Sequence, residues 1–289
     1  MRYLSRGGAV ALMLVAPVMW STAGVVTRHI EHAKPFEQVF WRSLFAFGVV
    51  FAVLVFQKKH PWRAVAAAGW PGVVSGLMWA TMFTAFLFAL ALTTTANALV
   101  VMSVSPLITA LLANAFLKDP VPVRTLVAAG VAAAGIAWMF SSDLSAHYAG
   151  MAIAFLIPVA SAVNVVVLRA SAARLDLVPA VMLGGALSCL IMLPFALPFS
   201  ASAKDIALLA FLGFFQLAVP CMLLVVASRS LLAPEIALLS LLEVVLGPLW
   251  AWLGAGEIPA AATLTGGAIV LAALAGNELA ALRRPAVRV

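Results

Sequence analysis

Long apolar segments alternate with short polar and charged clusters along the whole chain. Splitting the sequence at these clusters gives ten segments, each close to the ~20 apolar residues that a helix needs to cross a hydrocarbon core. The segments are 7–27, 36–56, 69–92, 95–117, 123–140, 148–169, 178–198, 205–229, 234–254 and 259–281. The pattern predicts an all-α integral membrane protein with ten transmembrane helices. The first segment is too long for the apolar core of a signal peptide, so we expect it to be retained as a span.

The amino-acid composition excludes a water-soluble fold. Hydrophobic residues make up 65% of the 289 residues and charged residues only 9%, against about half and about a quarter in soluble domains. The net charge of +7 does not indicate nucleic-acid binding, because the basic residues lie in short loops and form no stripe. The expected partners are therefore the lipid bilayer and a small-molecule substrate.

The distribution of Lys and Arg predicts the orientation, since the cytoplasmic loops of membrane proteins are enriched in them. With the N-terminus in the cytoplasm, only Arg28, Lys34 and Lys204 lie outside. The residues that then lie inside are Arg2, Arg6, Lys58, Lys59, Arg63, Lys118, Arg124, Arg169, Arg174, Arg229, Arg283, Arg284 and Arg288. An even number of spans returns the C-terminus to the same side. We therefore expect a multi-pass protein of the bacterial inner membrane with both termini in the cytoplasm.

Residues that carry metal or cofactor chemistry are sparse. The histidines lie in predicted loops without metal-ligand spacing: His29, His32, His60 and His147. Cys189 and Cys221 lie inside apolar segments, where buried free thiols are expected rather than a disulfide. No nucleotide-binding motif interrupts the chain, which excludes an ATP-driven pump. The sequence predicts no metal, no cofactor and no enzymatic activity.

The two halves of the chain resemble each other weakly at fixed offsets. The matches at an offset of 138 residues are Asp119 with Glu257, and Thr125-Leu126 with Thr263-Leu264. The matches at an offset of 141 include Pro17 with Pro158, and Arg28 with Arg169. Five helices per unit is an odd number, so the second unit would enter the membrane from the opposite side. We expect two inverted five-helix repeats, residues 1–142 and 143–289, around a central cavity, as is common in secondary transporters.

A set of motifs in fixed order extends over nearly the whole chain. In the first half these are Trp20-Ser21 after Pro17, Arg42, Ala89-Leu90, and Ser105-Pro106 followed by Asp119. In the second half they are Leu242-Glu243, Pro248, Gly256-Glu257 and Gly266-Gly267. Together they resemble the drug/metabolite transporter superfamily, and within it the ten-helix EamA-type exporters. Two places depart from that pattern: Lys118-Asp119 replaces a frequent Gly-Glu, and Glu243-Val244 replaces a frequent Glu-Pro.

This resemblance implies an exporter of small metabolites. Within the superfamily the chain is most similar to bacterial exporters of amino acids and metabolites, including the aromatic amino-acid exporter group. That similarity makes amino acids the first substrate class to expect.

Ionisable residues inside apolar segments need an explanation, because each costs at least ~2.5–3.5 kcal/mol at the bilayer centre. Glu243 lies near the middle of the ninth segment. It could hold a cationic substrate group, carry a coupled proton, or lock two helices together as a hydrogen-bonded acid. Arg42 lies early in the second segment. It could snorkel to the interface, pair with Glu37 or Glu31, or act as a charge partner for a substrate carboxylate.

Polar and aromatic residues at a similar depth define the candidate substrate site. Several of them lie near a proline inside a segment, which frees a backbone carbonyl and bends the helix. The candidate substrate-binding residues are Trp20, Ser21, Trp79, Ser105, Asn164 and Glu243. Such a cavity suits an apolar or aromatic side chain better than a sugar phosphate, which needs several Arg or Lys residues.

Three functions remain open at this point. The first is a secondary exporter of small metabolites, above all amino acids with aromatic or apolar side chains, that works by alternating access. The second is efflux of lipophilic cationic drugs, with Glu243 as the counter-charge. The third is a non-transporting membrane assembly protein or an intramembrane enzyme. The third ranks last, because the apolar segments contain no catalytic or metal-binding constellation.

Overall fold

The computed structural model describes residues 4–92, 98, 101–118, 121–139, 148–256 and 261–282, and all regular secondary structure over these residues is helical. The helices are α1 (Arg6–Ser21), α2 (Ala23–Thr27), α3 (Pro35–Phe56), α4 (Pro61–Ala67), α5 (Gly69–Leu92), α6 (Ser105–Leu117), α7 (Val123–Met139) and α8 (Tyr148–Ser171). They continue with α9 (Val178–Ala196), α10 (Ala203–Phe211), a π-helical segment (Leu212–Ala218), α11 (Val219–Ala227), α12 (Ala233–Ser240), α13 (Leu242–Ala255) and α14 (Ala261–Leu282).

Seven helical stretches are long and apolar enough to cross a membrane, and three shorter apolar helices accompany them. The seven are Arg6–Thr27, Pro35–Phe56, Pro61–Ala89, Ala149–Ser171, Val178–Ala196, Ala203–Ala227 and Ala233–Gly254. The prediction of an all-α integral membrane protein is confirmed. Each of the ten predicted segments contains at least one helix among the described residues. The count of ten separate membrane crossings stays a prediction.

The first span is interrupted at Thr22, between α1 and α2. Pro17 inside α1 has no backbone N–H to donate to the preceding turn. The hydroxyls of Ser21 and Thr22 donate to the carbonyls of Val18 and Met19, both at 2.7 Å, and so compete with the helical hydrogen bonds at this point. The bend expected from Pro17 therefore appears as a break one turn later, next to the candidate residues Trp20 and Ser21.

The eighth span changes from α-helix to π-helix at Leu212–Ala218 and back again. Pro220 follows within the first turn of α11 and cannot donate a backbone hydrogen bond to the turn before it. A π turn accommodates the missing bond by widening the helix, and such turns are frequent at functional sites. The widened turn carries Gln216, which is buried.

The ninth span is interrupted at Leu241, so that Glu243 lies in the first turn of the second half, α13. The fourth span has a corresponding turn at Ser103 and Val104, immediately before α6 begins at Ser105. Leu241 follows Ser103 by 138 residues, the offset at which the two halves match in sequence. Ser105 and Glu243 therefore occupy equivalent positions, each at the start of a half-helix.

Packing among the helices repeats when each span is exchanged with the span five places along the chain. The contact between α5 and α8 corresponds to the contact between α1 and α11. In the same way, the contact between α5 and α9 corresponds to that between the π-helical segment and α3, and the contact between α6 and α8 to that between α13 and α1. In three further contacts the exchange maps each helix onto its partner, so the contact is unchanged: α3 with α9, α6 with α12, and α7 with α14. A duplicated five-helix unit would produce this pattern, and the division into two repeats stays a prediction.

Two glycines allow the central helices to approach closely. A Cβ atom on Gly184 of α9 would lie 2.4 Å from the Cβ of Trp79 on α5. A Cβ atom on Gly213 of the π-helical segment would lie 2.7 Å from the carbonyl oxygen of Arg42 on α3. Neither position can take a larger residue without displacing backbone. These two crossings fix the positions of Trp79 and Arg42 in the centre of the bundle.

Several sequence predictions concern positions outside the described residues. They include the acidic repeat pair Asp119 and Glu257, His147, and the proposed boundary between residues 142 and 143.

Candidate functional site

Two buried carboxylates, those of Glu37 and Asp205, join the loops at one end of the bundle. We call this end the distal end and define it by Glu31, Glu37, Ser200 and Asp205. Glu37 accepts hydrogen bonds from the backbone N–H and hydroxyl of Ser200, from the Ala201 N–H (each at 2.9 Å) and from the Trp41 indole at 3.2 Å. Both Glu37 and Asp205 are fully buried. The hydrogen bonds fix the loop before α10 against the start of α3.

Asp205 makes the reciprocal connection at the distal end. It accepts the backbone N–H groups of Glu31 and His32 at 3.0 Å each, and that of Ser202 at 3.1 Å. Ser202 in turn caps α10 by accepting from the Asp205 N–H at 3.1 Å. The loop after α2 is therefore attached to the N-terminus of α10.

The opposite end, which we call the proximal end and define by Arg6, Arg124, Asp176 and Glu235, is joined by ion pairs. Glu235 lies 3.2 Å from the Arg6 guanidinium and 3.6 Å from that of Arg124. Through these pairs one acid at the start of α12 connects the starts of α1 and α7.

Asp176 is the second acid of the proximal end. It lies 2.7 Å from Lys59 and 3.1 Å from Arg229. Burial alone would raise the pKa of Asp176. The hydrogen bonds from Lys59 and from the Val178 N–H, together with the two cationic charges, outweigh burial and lower the pKa below its usual range.

Cys221 on α11 links three of the residues singled out from the sequence. Its thiol lies close to the Trp20 indole and within electrostatic range of both Arg42 and Glu243. Cys221 is fully buried and belongs to the main hydrophobic cluster, against which Trp20 also packs. The thiol thus marks the place where side chains from α1, α3, α11 and α13 come together.

Ser21 and Asn164 are buried, and both are engaged in hydrogen bonds. The Ser21 hydroxyl accepts from the Trp250 indole at 2.7 Å, which connects α1 to α13. The Asn164 carbonyl oxygen accepts from the Ser75 hydroxyl at 2.6 Å, which connects α8 to α5. These bonds account for both side chains as links between helices, and their candidacy as substrate ligands stays a prediction.

Trp79 is buried among the core residues of α5, with its ring centroid 5.7 Å from that of Phe83. Its indole Nε1 is buried and has no hydrogen-bond partner among the described residues. Because buried polar groups are rarely left unpaired, this donor calls for a partner beyond the described residues.

Arg42 is 3% exposed, and its Nη2 donates to the Phe83 carbonyl at 2.9 Å. Its Nε is buried without a partner among the described residues. It does not snorkel, since it is buried. The two carboxylates expected as alternatives have other partners: Glu37 binds Ser200, Ala201 and Trp41, and Glu31 pairs with Lys204.

Glu243 and Ser105 are both partly exposed at the starts of their half-helices. An acidic side chain in the first turn of a helix is favourably placed with respect to the helix dipole. Glu243 lies near Cys221, and thereby joins the group formed by Trp20 and Arg42. Ser105 lies at the start of α6, which packs on α8 and α12.

The structure thus brings Trp20, Arg42 and Glu243 together around Cys221, with Trp79 packed in the same hydrophobic cluster. The sequence predicts only a buried free thiol at Cys221, and Gln216 is not among the candidate residues. Pro220, which follows Gln216 in the same span, is the signal that could have directed attention to Gln216, since a proline within a span distorts the helix around it. Among the described residues, no group of three or more His, Cys, Asp or Glu could hold a metal ion.

Comparisons with known proteins support the interpretation of the fold. Residues 7–141 match the model of the EamA-like transporter family. A solved chain described as "Crystal structure of protein" superposes with a TM-score of 0.80 at 20% identity, covering 96% of this chain and 100% of that chain. Altogether 28 chains of solved structures match, and no curated protein does. The resemblance to the drug/metabolite transporter superfamily is confirmed, whereas the aromatic amino-acid exporter group stays a prediction.

Proposed function

Because this chain is a membrane transporter of the drug/metabolite kind, we propose that it exports small zwitterionic metabolites, amino acids with apolar or aromatic side chains first. The observation that carries the proposal is the placement of one cation, Arg42, and one acid, Glu243, on different helices around Cys221. The two charges are opposite, so a ligand that carries one charge of each sign leaves the site neutral. Trp20 and Trp79 pack in the same hydrophobic cluster and supply apolar surface.

This arrangement favours a zwitterion over the other two ligand classes. A lipophilic cation would be compensated by Glu243 but repelled by Arg42, since like charges repel strongly where little water is present. A phosphorylated sugar needs several basic groups, and Arg42 is the single basic residue within the apolar part of the described spans. Transport through a binding site also needs no catalytic group, so we propose no enzymatic activity.

Alternating access is the mechanism that we propose for the export. Two supports come from the helix packing, which repeats on exchange of the two halves, and from the half-helices that begin at Ser105 and Glu243. In secondary transporters, such interrupted helices line a midplane site between repeats that rock against each other. The bias of Lys and Arg supports placement in a bacterial inner membrane with both termini in the cytoplasm.

The decisive experiment measures flux by the purified protein in liposomes for labelled amino acids and for tetraphenylphosphonium, a lipophilic cation. We expect flux of amino acids, and we expect Glu243→Gln to weaken it by a modest factor, because a zwitterion partly compensates its own charges. A cation exporter would instead lose nearly all flux in Glu243→Gln at every pH. Glu31→Gln, which changes an exposed acid at the distal end, is the matched control.

The same variant tests proton coupling. If Glu243 carries a coupled proton, Glu243→Gln uncouples flux from an imposed pH gradient and leaves exchange intact. Absence of flux above protein-free liposomes for every compound would contradict both transport functions. A folded variant with wild-type flux and pH response would reduce Glu243 to a packing residue.

A further inference from the structure

Three polar atoms in the centre of the bundle are buried without a hydrogen-bond partner among the described residues. They are Nε of Arg42, Nε1 of Trp79 and Oε1 of Gln216. The exposed fractions of these residues are 3%, 3% and 6%. An unpaired buried polar atom destabilises a protein, and a charged donor does so more than a neutral one. Two open donors and one open acceptor therefore indicate a polar ligand.

The two donors are connected through Phe83. The Arg42 guanidinium donates to the Phe83 carbonyl at 2.9 Å, and Phe83 lies one helical turn after Trp79, with ring centroids 5.7 Å apart. The Arg42 guanidinium thus reaches α5 one helical turn from Trp79. One carbonyl satisfies only one of the five N–H donors that an arginine carries.

The acceptor belongs to the helix that packs directly on Arg42. Gly213, in the π-helical segment, is pressed against the Arg42 backbone, and Gln216 follows three residues later in the same segment. Cys221, further along this helix, lies within electrostatic range of the Arg42 guanidinium. Along the chain, Gln216 therefore lies between Gly213 and Cys221, the two residues at which this helix approaches Arg42.

We propose that Arg42, Trp79 and Gln216 form the subsite that binds the head group of an α-amino acid. The Arg42 and Trp79 N–H groups donate to the carboxylate, and the Gln216 carbonyl oxygen accepts from the adjacent ammonium. This assignment rests on the proposed export of zwitterionic metabolites and names the residues that recognise them. Glu243 supplies the longer-range negative charge that balances the ammonium.

The chemistry of the three atoms matches this head group in kind. A carboxylate accepts hydrogen bonds, as the two donors require, and an ammonium donates up to three, of which Gln216 accepts one. The charge-assisted bond from Arg42 is the strongest of the three. The π-helical turn widens the backbone where Gln216 lies, and such turns are common where a helix contacts a ligand.

The subsite is tested by competition binding to the purified full-length protein, with labelled L-phenylalanine as the probe. Phenylalaninamide lacks the carboxylate, and 3-phenylpropionate lacks the ammonium. We expect wild-type protein to prefer L-phenylalanine over each by about ten- to hundredfold, the effect of losing a hydrogen bond to a charged group. This comparison needs no variant, so it does not depend on whether a substitution folds.

The variants should give a crossed pattern. Arg42→Gln should remove the preference over phenylalaninamide and keep the preference over 3-phenylpropionate. Gln216→Met should reduce the preference over 3-phenylpropionate and keep the other. Arg42→Lys retains the charge and should fall between wild type and Arg42→Gln. Arg63→Gln, which changes an exposed arginine on α4, should leave both preferences unchanged.

Two results would overturn the assignment, and they are distinguishable. If L-phenylalanine binds and is transported but phenylalaninamide competes equally well, the subsite is wrong and amino-acid export stands. The same holds if Arg42→Gln weakens all three compounds by one common factor, because that is the effect of a structural role. If neither L-phenylalanine nor any other amino acid binds or is transported by the wild type, the proposed export fails and the subsite with it.

Discussion

The distal carboxylates and the central residue Arg42 are equally hidden from solvent or nearly so, yet their hydrogen bonding differs. Glu37 and Asp205 are fully buried, and each accepts three or more hydrogen bonds from groups of the protein. Arg42 donates to the Phe83 carbonyl and keeps a buried N–H without a partner among the described residues. A buried charge stabilises a fold when its partners are built in, and is costly when they are not.

On the subsite proposed above, this difference separates residues that maintain the fold from residues that bind a ligand. The partners of Glu37 and Asp205 are backbone N–H groups and side chains of adjoining loops, so both acids are satisfied in the protein alone. The central atoms of Arg42, Trp79 and Gln216 have no such partner among the described residues. Substitutions at the distal end should therefore act on stability, and those in the centre on binding.

The largest effect is expected for Asp205→Ala. The change leaves the N–H groups of Glu31, His32 and Ser202 without their acceptor, and we expect the free energy of unfolding to fall by about 3 kcal/mol, about 1 for each donor. Thermal unfolding of the detergent-solubilised protein measures it. Glu31→Ala removes only an exposed pair with Lys204 and should leave the melting temperature almost unchanged. Equal effects of the two substitutions would contradict the structural role of Asp205.

A smaller effect should distinguish a paired buried amide from an unpaired one. Asn164→Leu leaves the buried Ser75 hydroxyl without its acceptor, so we expect it to cost about 1–2 kcal/mol of stability. Gln216→Met replaces an amide whose oxygen has no partner among the described residues, and should change stability by under about 0.5 kcal/mol. Melting temperatures and amino-acid flux are measured on both proteins. Gln216→Met should lower flux while it spares stability, and the reverse outcome would assign Gln216 to the fold.

The smallest effect is a pH dependence at the proximal end. The pKa of Asp176 is lowered in the folded protein, because the bonds from Lys59 and Val178 and the charges of Lys59 and Arg229 outweigh burial. Its contribution to stability is therefore complete above the ordinary aspartate pKa of about 3.9 and is lost as pH falls through the lower folded value. The difference in melting temperature between wild type and Asp176→Asn should be constant from about pH 8 to pH 5 and shrink below about pH 4. A difference that grows on acidification would contradict this ion-pair assignment.

Sequence patterns predicted the helices well because a lipid environment leaves few options for the backbone. Each apolar segment must satisfy its own hydrogen bonds, so it becomes a helix of nearly the predicted length. The segment 178–198 became Val178–Ala196, and the segment 36–56 became Pro35–Phe56. The interruption at Leu241 was not predicted, and the bend expected near Pro17 was not located at Thr22, since both positions depend on hydroxyl bonding and packing rather than on hydrophobicity.

The candidate site was predicted only in part, because the depth of a residue does not reveal its partners. Trp20, Trp79 and Glu243 were selected for their depth, and the structure places Trp20 and Glu243 near Cys221 and packs Trp79 in the cluster that contains it. Ser21 and Asn164 had the same depth, but both bond to neighbouring helices. Cys221 has no polar signature in the sequence that would have singled it out.

Hydrophobicity by itself determined the membrane class and the all-helical fold, because these follow from segment length, and residues in fixed order indicated the EamA-like transporter family whose model matches residues 7–141. Only the tertiary structure decided which polar residues have partners. The sequence allowed an ion pair between Arg42 and Glu37. In the structure, Glu37 instead accepts a hydrogen bond from Ser200, and Arg42 donates to the Phe83 carbonyl. Pairing between groups on different helices depends on how those helices cross, and that geometry is set by close contacts such as Gly213 on Arg42.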